Sequence, residues 1–372
     1  MTIDRRTFLG SLLPLLMARS GIASSQDAAD TIAGDPAIGK GLLEIRKATG
    51  VPGLTSAIAK PGKPTRVAAV GVRKEGSPEV FGAEDLVHLG SDTKAMTATM
   101  IATLVEEEKL AWTSTLGEIF PSAEMNPAFK PVTLEQLLTH RSGLPANVDW
   151  WSLGSEKSTT EQRLALLDRV IRQAPKSTPG TTFLYSNVGY ALAGLMAETV
   201  AKTSWEDLMR ERLFKPLEMA SAGFGPPGAL GKIDQPWGHG EHKGKLTPSQ
   251  EDNAPPLGPA GTCHCTMSDW AKFVNLHLLG AKGEKTPILK PETFHALQTP
   301  KEGEEYAKGW TVTKRPWAGG KVLTHSGSNT QWFCVAWLAV EKGFALLAAT
   351  NLGGDTAQKA TDQAVAGMIK LV

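Results

Sequence analysis

Cys263, Cys265 and Cys334 are the only cysteines in 372 residues, too few for a fold stapled by disulfides. Cys334 lies in QWFCVAWLAV, a run that reads as a buried strand, where a thiol serves as a small apolar residue. No charge of one sign dominates: 39 Lys and Arg face 38 Asp and Glu, so no nucleic-acid partner is expected. Beyond the N-terminus no apolar stretch reaches the roughly 20 residues that a bilayer-spanning helix needs, so no stable membrane insertion is expected. There is no internal repeat and no low-complexity tract. What remains is a chain with 41% hydrophobic residues, long enough for one large core or two packed lobes.

The N-terminus, MTIDRRTFLGSLLPLLMARSGIASS, reads as a targeting segment. Arg5 and Arg6 precede Phe8 and Leu9, a short interrupted apolar stretch, and small residues ending at Ala23. The order resembles a twin-arginine export signal over residues 1–23; a general secretory peptide is the alternative. Either predicts a periplasmic or secreted mature protein, and no cysteine follows to take a lipid.

The rest divides by pattern. AIGKGLLEIRKATG has helical spacing and stops at Gly50. GLTSAIAK and TRVAAVGVRK are β-prone runs joined by Pro-Gly-Lys-Pro, a hairpin signal. LVHLG is a short strand leading to Ser91, after which Met96, Met100, Ile101, Leu104 and Val105 mark the apolar face of a helix to Leu110. PVTLEQLLTH carries a capping box, Thr133 with Gln136. Further helices are predicted over 159–174, 187–202 and 204–214. Residues 222–262, rich in Gly and Pro and without period, read as a long loop. YAKGWTVTK, KVLTHSGS, TQWFCVAWLAV and GFALLAATN are strand candidates, the last two joined by Glu341-Lys342-Gly343, and a helix over 356–369 closes the chain. The fold class is therefore α/β (α+β). An antiparallel sheet forms from both chain ends (36–90 plus 300–372), with an inserted, mainly helical lobe over about 110–260.

HLGSDTKAM places Ser91 and Lys94 three residues apart, on neighbouring faces of a helix. A serine in the first helical turn has a free amide beside it and a dipole that favours negative charge. That pairing suits a nucleophile whose proton passes to an amine, with the amide facing an oxyanion. Free lysine titrates at about 10.4, so a base useful at neutral pH must be pushed down by roughly 4 kcal/mol. The alternative is an N-cap serine followed by a solvated lysine. Two further motifs follow in order: Tyr185-Ser186-Asn187 in PGTTFLYSNVGYALAG, and His325-Ser326-Gly327-Ser328 at the end of a strand candidate.

Ser-x-x-Lys, then Tyr-x-Asn, then a basic-hydroxyl-Gly strand is the three-part signature of penicillin-recognising serine enzymes. With the connectors LLTHRSGLP and GPAGTCHCTMSDWAKF, the chain from about residue 36 to its end resembles serine hydrolases of the class C β-lactamase, D-alanyl-D-alanine carboxypeptidase and carboxylesterase type. The resemblance implies that Ser91 is acylated and that Lys94 accepts its proton, alone or shared with Tyr185, which relays it to the leaving group. It implies that Asn187 holds the substrate's acyl-side amide or Lys94. His325, Ser326 and Gly327 line the substrate-binding strand, and the amides of Ser91 and Ser328 form the oxyanion hole. No cofactor, no metal and a monomeric enzyme acting on a small-molecule or peptide substrate are expected.

Two features narrow the chemistry. The chain has no Glu-x-x-x-Asn, which resembles the deacylating element of class A enzymes, so water activation falls to Tyr185 and Lys94. His325 stands where dedicated β-lactamases usually carry lysine, and a histidine titrating near about 6.5 gives no fixed charge to a substrate carboxylate. Trp150 and Trp151 in PANVDWWSLG and Trp237 are candidate pocket walls, with at most one of the adjacent pair facing the site in an extended segment. His239, His242, Cys263, His264 and Cys265 have metal-ligating side chains, at a spacing that matches no established zinc pattern. The competing functional reading is a penicillin-binding or sensing protein that acylates without turnover.

Overall fold

The computed structural model describes residues 28–372; the segment read as an export signal lies outside them. The chain runs through β1 (Ile32–Gly34), α1 (Pro36–Thr49), β2 (Gly53–Ala59), β3 (Arg66–Gly71) and β4 (Leu86–His88). Helices α2 (Thr93–Glu106), α3 (Leu134–Leu138), α4 (Thr159–Ile171), α5 (Asn187–Ala201) and α6 (Trp205–Met209) follow. Then come β5 (Gly223–Phe224), β6 (Gly238–His242), β7 (Lys245–Ser249) and β8 (Cys263–Thr266), with α7 (Met267–Ala281) and α8 (Pro291–Gln298) after them. The chain ends with β9 (Thr311–Arg315), β10 (Gly320–Ser328), β11 (Phe333–Ala339), β12 (Phe344–Thr350) and α9 (Asp355–Met368).

Seven strands form one antiparallel sheet in the order β1-β3-β2-β12-β11-β10-β9, so the two chain ends interlock where β2 pairs with β12. Side chains alternate across this seam. Leu54, Ile58, Leu346 and Ala348 pack with α1 and α9, while Ala57, Ala59, Ala345 and Leu347 join the larger core on the other face. Both strands are buried along their whole length, as a sheet covered on two faces requires. Gly62 (φ +71°) and Gly343 (φ +70°) sit in the two tight turns that Pro-Gly-Lys-Pro and Glu-Lys-Gly predict.

Three local expectations differ from the structure. Helix α2 is buried from Thr93 to Leu104 on every side, not on one face, because it runs through the centre of the larger core. Residues 222–262 are not a structureless loop: β6 and β7 form a hairpin, β5 joins β8, and Gly258–Gly261 is a helical turn. These pairs are made by backbone between polar and glycine residues, so they leave no apolar period. Strand β9 begins at Thr311 and not near Tyr306, because Gly309 breaks the run at φ +86°.

Arg163 ties the inserted helices together. Its fully buried guanidinium meets Glu198 on α5 at 2.5 Å and Glu206 on α6 at 2.6 Å, and donates to the carbonyls of Pro255 and Pro256. Those carbonyls begin the segment that reaches Ala260 beside Lys94.

Candidate active site

Strand β4 delivers Ser91. Leu89 donates its amide to the Cys263 carbonyl at 2.8 Å, and Cys263 N donates to Thr93 Oγ1 at 3.1 Å. Ser91 therefore lies on a short 3-10 turn, Gly90–Asp92, that is pinned on both sides before α2 begins. Gly90 holds φ +45°, and a Cβ there would come within 2.3 Å of the Ser328 nitrogen. A Cβ on Gly327 would lie 1.9 Å from the Leu89 carbonyl oxygen and 2.8 Å from the Ser91 nitrogen. Two glycines thus let the end of β10 press against the serine turn, which makes the Ser91 and Ser328 amides neighbours.

Lys94 is fully buried one turn along. Its Nζ lies 3.0 Å from Ser91 Oγ, 2.7 Å from Asn187 Oδ1 and 2.7 Å from the Ala260 carbonyl. Asn187 turns its oxygen to Lys94 because its Nδ2 donates to Asn147 Oδ1 at 2.9 Å. Two of the three partners can only accept, so they take N–H groups. Burial pushes the amine well below its usual range, against the pull of Asp92. In the neutral amine the third direction is a lone pair, and it faces the Ser91 hydroxyl. Asp92 points instead to the sheet, its Oδ2 3.2 Å from Cys334 Sγ, and burial pushes its carboxyl well above the ordinary value.

Tyr185 sits above this pair, with its ring centroid 4.8 Å from Lys94 Nζ. Burial raises its phenol, and the Ser91 hydroxyl beside it partly offsets the rise. A phenol in that state keeps its proton at neutral pH, which leaves Lys94 as the better acceptor. The chain has three tyrosines, and all three cluster here: Tyr190 lies 5.5 Å from Lys94, and Tyr306 lies 6.4 Å from Tyr185, ring to ring.

His325 is buried in the same cluster, 6.3 Å from Tyr185. Its Nδ1 donates to the Ser326 carbonyl at 2.7 Å, which leaves Nε2 to accept from Tyr306 Oη at 3.0 Å. Burial lowers it to about 3. Both ring nitrogens are occupied by protein, so His325 carries no charge for a carboxylate. Ser326 is exposed on the alternate side of β10. Strand β9 covers β10 only from Gly320 to Thr324, which leaves His325–Ser328 without a strand on that side among the described residues.

Sequence reasoning missed several residues that build the site. His140, in the quoted connector LLTHRSGLP, packs its ring 4.3 Å from Tyr185 and accepts the Ser186 amide at Nδ1. His88 accepts the Gly90 amide at 3.1 Å and meets Asp252 Oδ1 at 2.9 Å. Asp252 Oδ1 also accepts from Asn329 at 2.9 Å, which links the serine turn to the end of β10. Tyr306 had one signal, the scarcity of its residue type; the contacts of Asp252 had none.

Two cavities flank the site. One of about 170 Å³ is lined by both Trp150 and Trp151, because that segment is a 3-10 turn and not extended. The other, about 320 Å³, opens beside Tyr306 and Phe183. A third, about 790 Å³, lies away from the site and reaches Lys321 at the opposite end of β10 from Ser328. Trp237 stands elsewhere, donating to the Lys232 carbonyl with Lys74 3.8 Å above its ring. Among the described residues no three His, Cys, Asp or Glu side chains are placed to hold a metal. His239 bonds Asn351 and Glu75, His264 bonds Gly225, and Cys263 and Cys265 are buried thiols.

Known proteins resemble this chain over most of its length. The chain is 25% identical to penicillin-binding protein 4 of Amycolatopsis lactamdurans, over 82% of each chain. It is 25% identical to the unguisins hydrolase ungD' of Aspergillus campestris, over 72% of this chain and 53% of that one. It superposes on the octameric penicillin-binding protein homologue from Pyrococcus abyssi with a TM-score of 0.74 and 25% identity, covering 90% of this chain and 76% of that one. The β-lactamase family model matches residues 29–367, and the chain belongs to that family.

Proposed function

We propose that this chain is a serine hydrolase that cleaves carboxylic esters or amides through an acyl-enzyme on Ser91. Ser91 gives its proton to the Lys94 lone pair as Oγ attacks the carbonyl carbon. The Ser91 and Ser328 amides receive the oxyanion. The proton then passes by way of Tyr185 to the leaving group, and water completes the cycle by the same route in reverse. One observation carries the reading: two fixed acceptors hold a buried, weakly basic amine so that its third direction meets Ser91 Oγ at 3.0 Å.

The occupied, uncharged His325 supports substrates without an obligatory carboxylate. On the strength of Arg5-Arg6-x-Phe8-Leu9 we also place the mature enzyme outside the cytoplasm, which fractionation of cells expressing the full chain would test. Steady turnover of a p-nitrophenyl ester, lost in Ser91→Ala, is the expected result for the hydrolase. A stoichiometric burst that leaves a stable adduct on Ser91 would replace this reading with a sensor that acylates once.

A further inference from the structure

On the mechanism proposed above, Tyr185 protonates the leaving group, and its ring leads toward Tyr306 and Phe183. The cavity beside them therefore takes the leaving group. Asn187 leads the other way, through Asn147 to Trp150 Nε1 at 3.3 Å, so the Trp150–Trp151 cavity takes the acyl group.

That acyl-side cavity is acidic, with Glu251 and Asp252 in its lining and no Lys or Arg. The Asp252 side chain is only 7% exposed. Its Oδ1 is met by His88 and Asn329, and its Oδ2 is buried with no hydrogen-bond partner among the described residues. His88 Nδ1 accepts the Gly90 amide, and its Nε2 lies 2.9 Å from Asp252 Oδ1 without a hydrogen bond, so among the described residues the Asp252 carboxylate is held by Asn329 alone. A buried carboxylate oxygen without a partner is costly unless a ligand supplies one. Trp151 is 66% exposed at the rim, and indole faces attract ammonium groups.

We infer that the Trp150–Trp151–Asp252 cavity selects acyl groups carrying a protonated amine, such as an amino acid or short peptide with a free N-terminus. This rests on the acyl-enzyme reading and adds its substrate class. Asp252 is the cation's counter-charge, Glu251 strengthens the field at the mouth, and the indoles cover the amine's apolar stem.

The test compares methyl esters of glycine, β-alanine and 6-aminohexanoic acid with their uncharged isosteres, methyl propionate, butyrate and heptanoate, by acid release at pH 7. At one chain length or more, the amine ester exceeds its isostere at least tenfold in kcat/KM. Asp252→Asn lowers both rates, since Asp252 also meets His88, but brings the ratio to within twofold of unity. Glu251→Gln lowers the ratio two- to threefold. If Asp252→Asn does not fold, n-butylammonium and n-butanol are compared as inhibitors of methyl butyrate hydrolysis, with the ammonium at least tenfold stronger. Wild-type turnover of neutral esters with no amine preference at any length, an unchanged ratio in Asp252→Asn, or equal inhibition would overturn the inference while the hydrolase stands. Absence of any acylation of Ser91 would instead sink the hydrolase reading itself.

Discussion

Gly327→Ala is the sharpest perturbation of the proposed oxyanion geometry. The added carbon would lie 1.9 Å from the Leu89 carbonyl oxygen, where ordinary contact begins at 3.4 Å, so about 1.5 Å of separation is missing. Neither side yields by rotating a side chain, because the obstructing atoms are backbone. Leu89 is held by Cys263, and β10 is held to β11 through the Gly327–Cys334 and Ser328–Phe333 pairs. The displacement therefore opens the gap between the Ser91 and Ser328 amides. Losing one oxyanion donor costs about 2.7–4 kcal/mol of transition-state stabilisation. The expected kcat/KM toward a p-nitrophenyl ester is thus about 10²–10³ lower, with KM changed little. Overpacking costs ~1–3 kcal/mol of stability, or several degrees of melting temperature in a chain of this size, so the variant still folds. Ser328→Ala, which keeps the amide, is the control and retains activity within about threefold. Folded Gly327→Ala with activity within threefold of wild type would refute the placement of the second donor on Ser328.

Other consequences are as direct. Lys94→Met lowers turnover by several orders of magnitude, as for residues that act as one unit. Its stability effect depends on pH in a defined sense. The folded amine titrates below its unfolded value, so the unfolded chain holds more protons between the two. The wild type gains on the variant as pH rises from 7.5 to 9.5, by up to about 1.4 kcal/mol per pH unit; denaturant melts showing a constant difference would contradict the neutral amine. Arg163→Met strands Glu198 and Glu206 and costs about 3–5 kcal/mol in the same melts. Tyr185→Phe slows both acylation and deacylation in single-turnover measurements, and a loss confined to one step would remove its role as the shared relay.

The antiparallel sheet from both chain ends was legible because β2 and β12 are short apolar runs bounded by turn residues, and that pattern is local. Ser91 with Lys94, and Tyr185 with Asn187, were legible for the same reason: each pair sits within one helix start, where spacing fixes geometry. The reach from Lys94 to Asn187 spans 93 residues, and it entered only through the order of the motifs. The fold of residues 222–262 was not legible, since its strands bury little and pair through backbone. Nor was Asp252 legible, an unremarkable acidic residue in that stretch until Asn329 and His88 converge on it.

The illegible part is also the part that makes the site work. Lys94 is a weak base because it is fully buried, with hydrogen bonds to Ser91, Asn187 and the Ala260 carbonyl, which lies 166 residues away. That carbonyl is placed by the segment Arg163 anchors through Pro255 and Pro256. An isolated Ser-x-x-Lys on a solvated helix would keep its lysine charged, whatever its spacing. The motif names the atoms, and the packing of an unpatterned segment over α2 sets their proton affinities. The proposed specificity follows the same division: Ser91 and Lys94, the proposed nucleophile and base, come from the readable start of α2, and Asp252, the proposed counter-charge, from the unreadable stretch beside it.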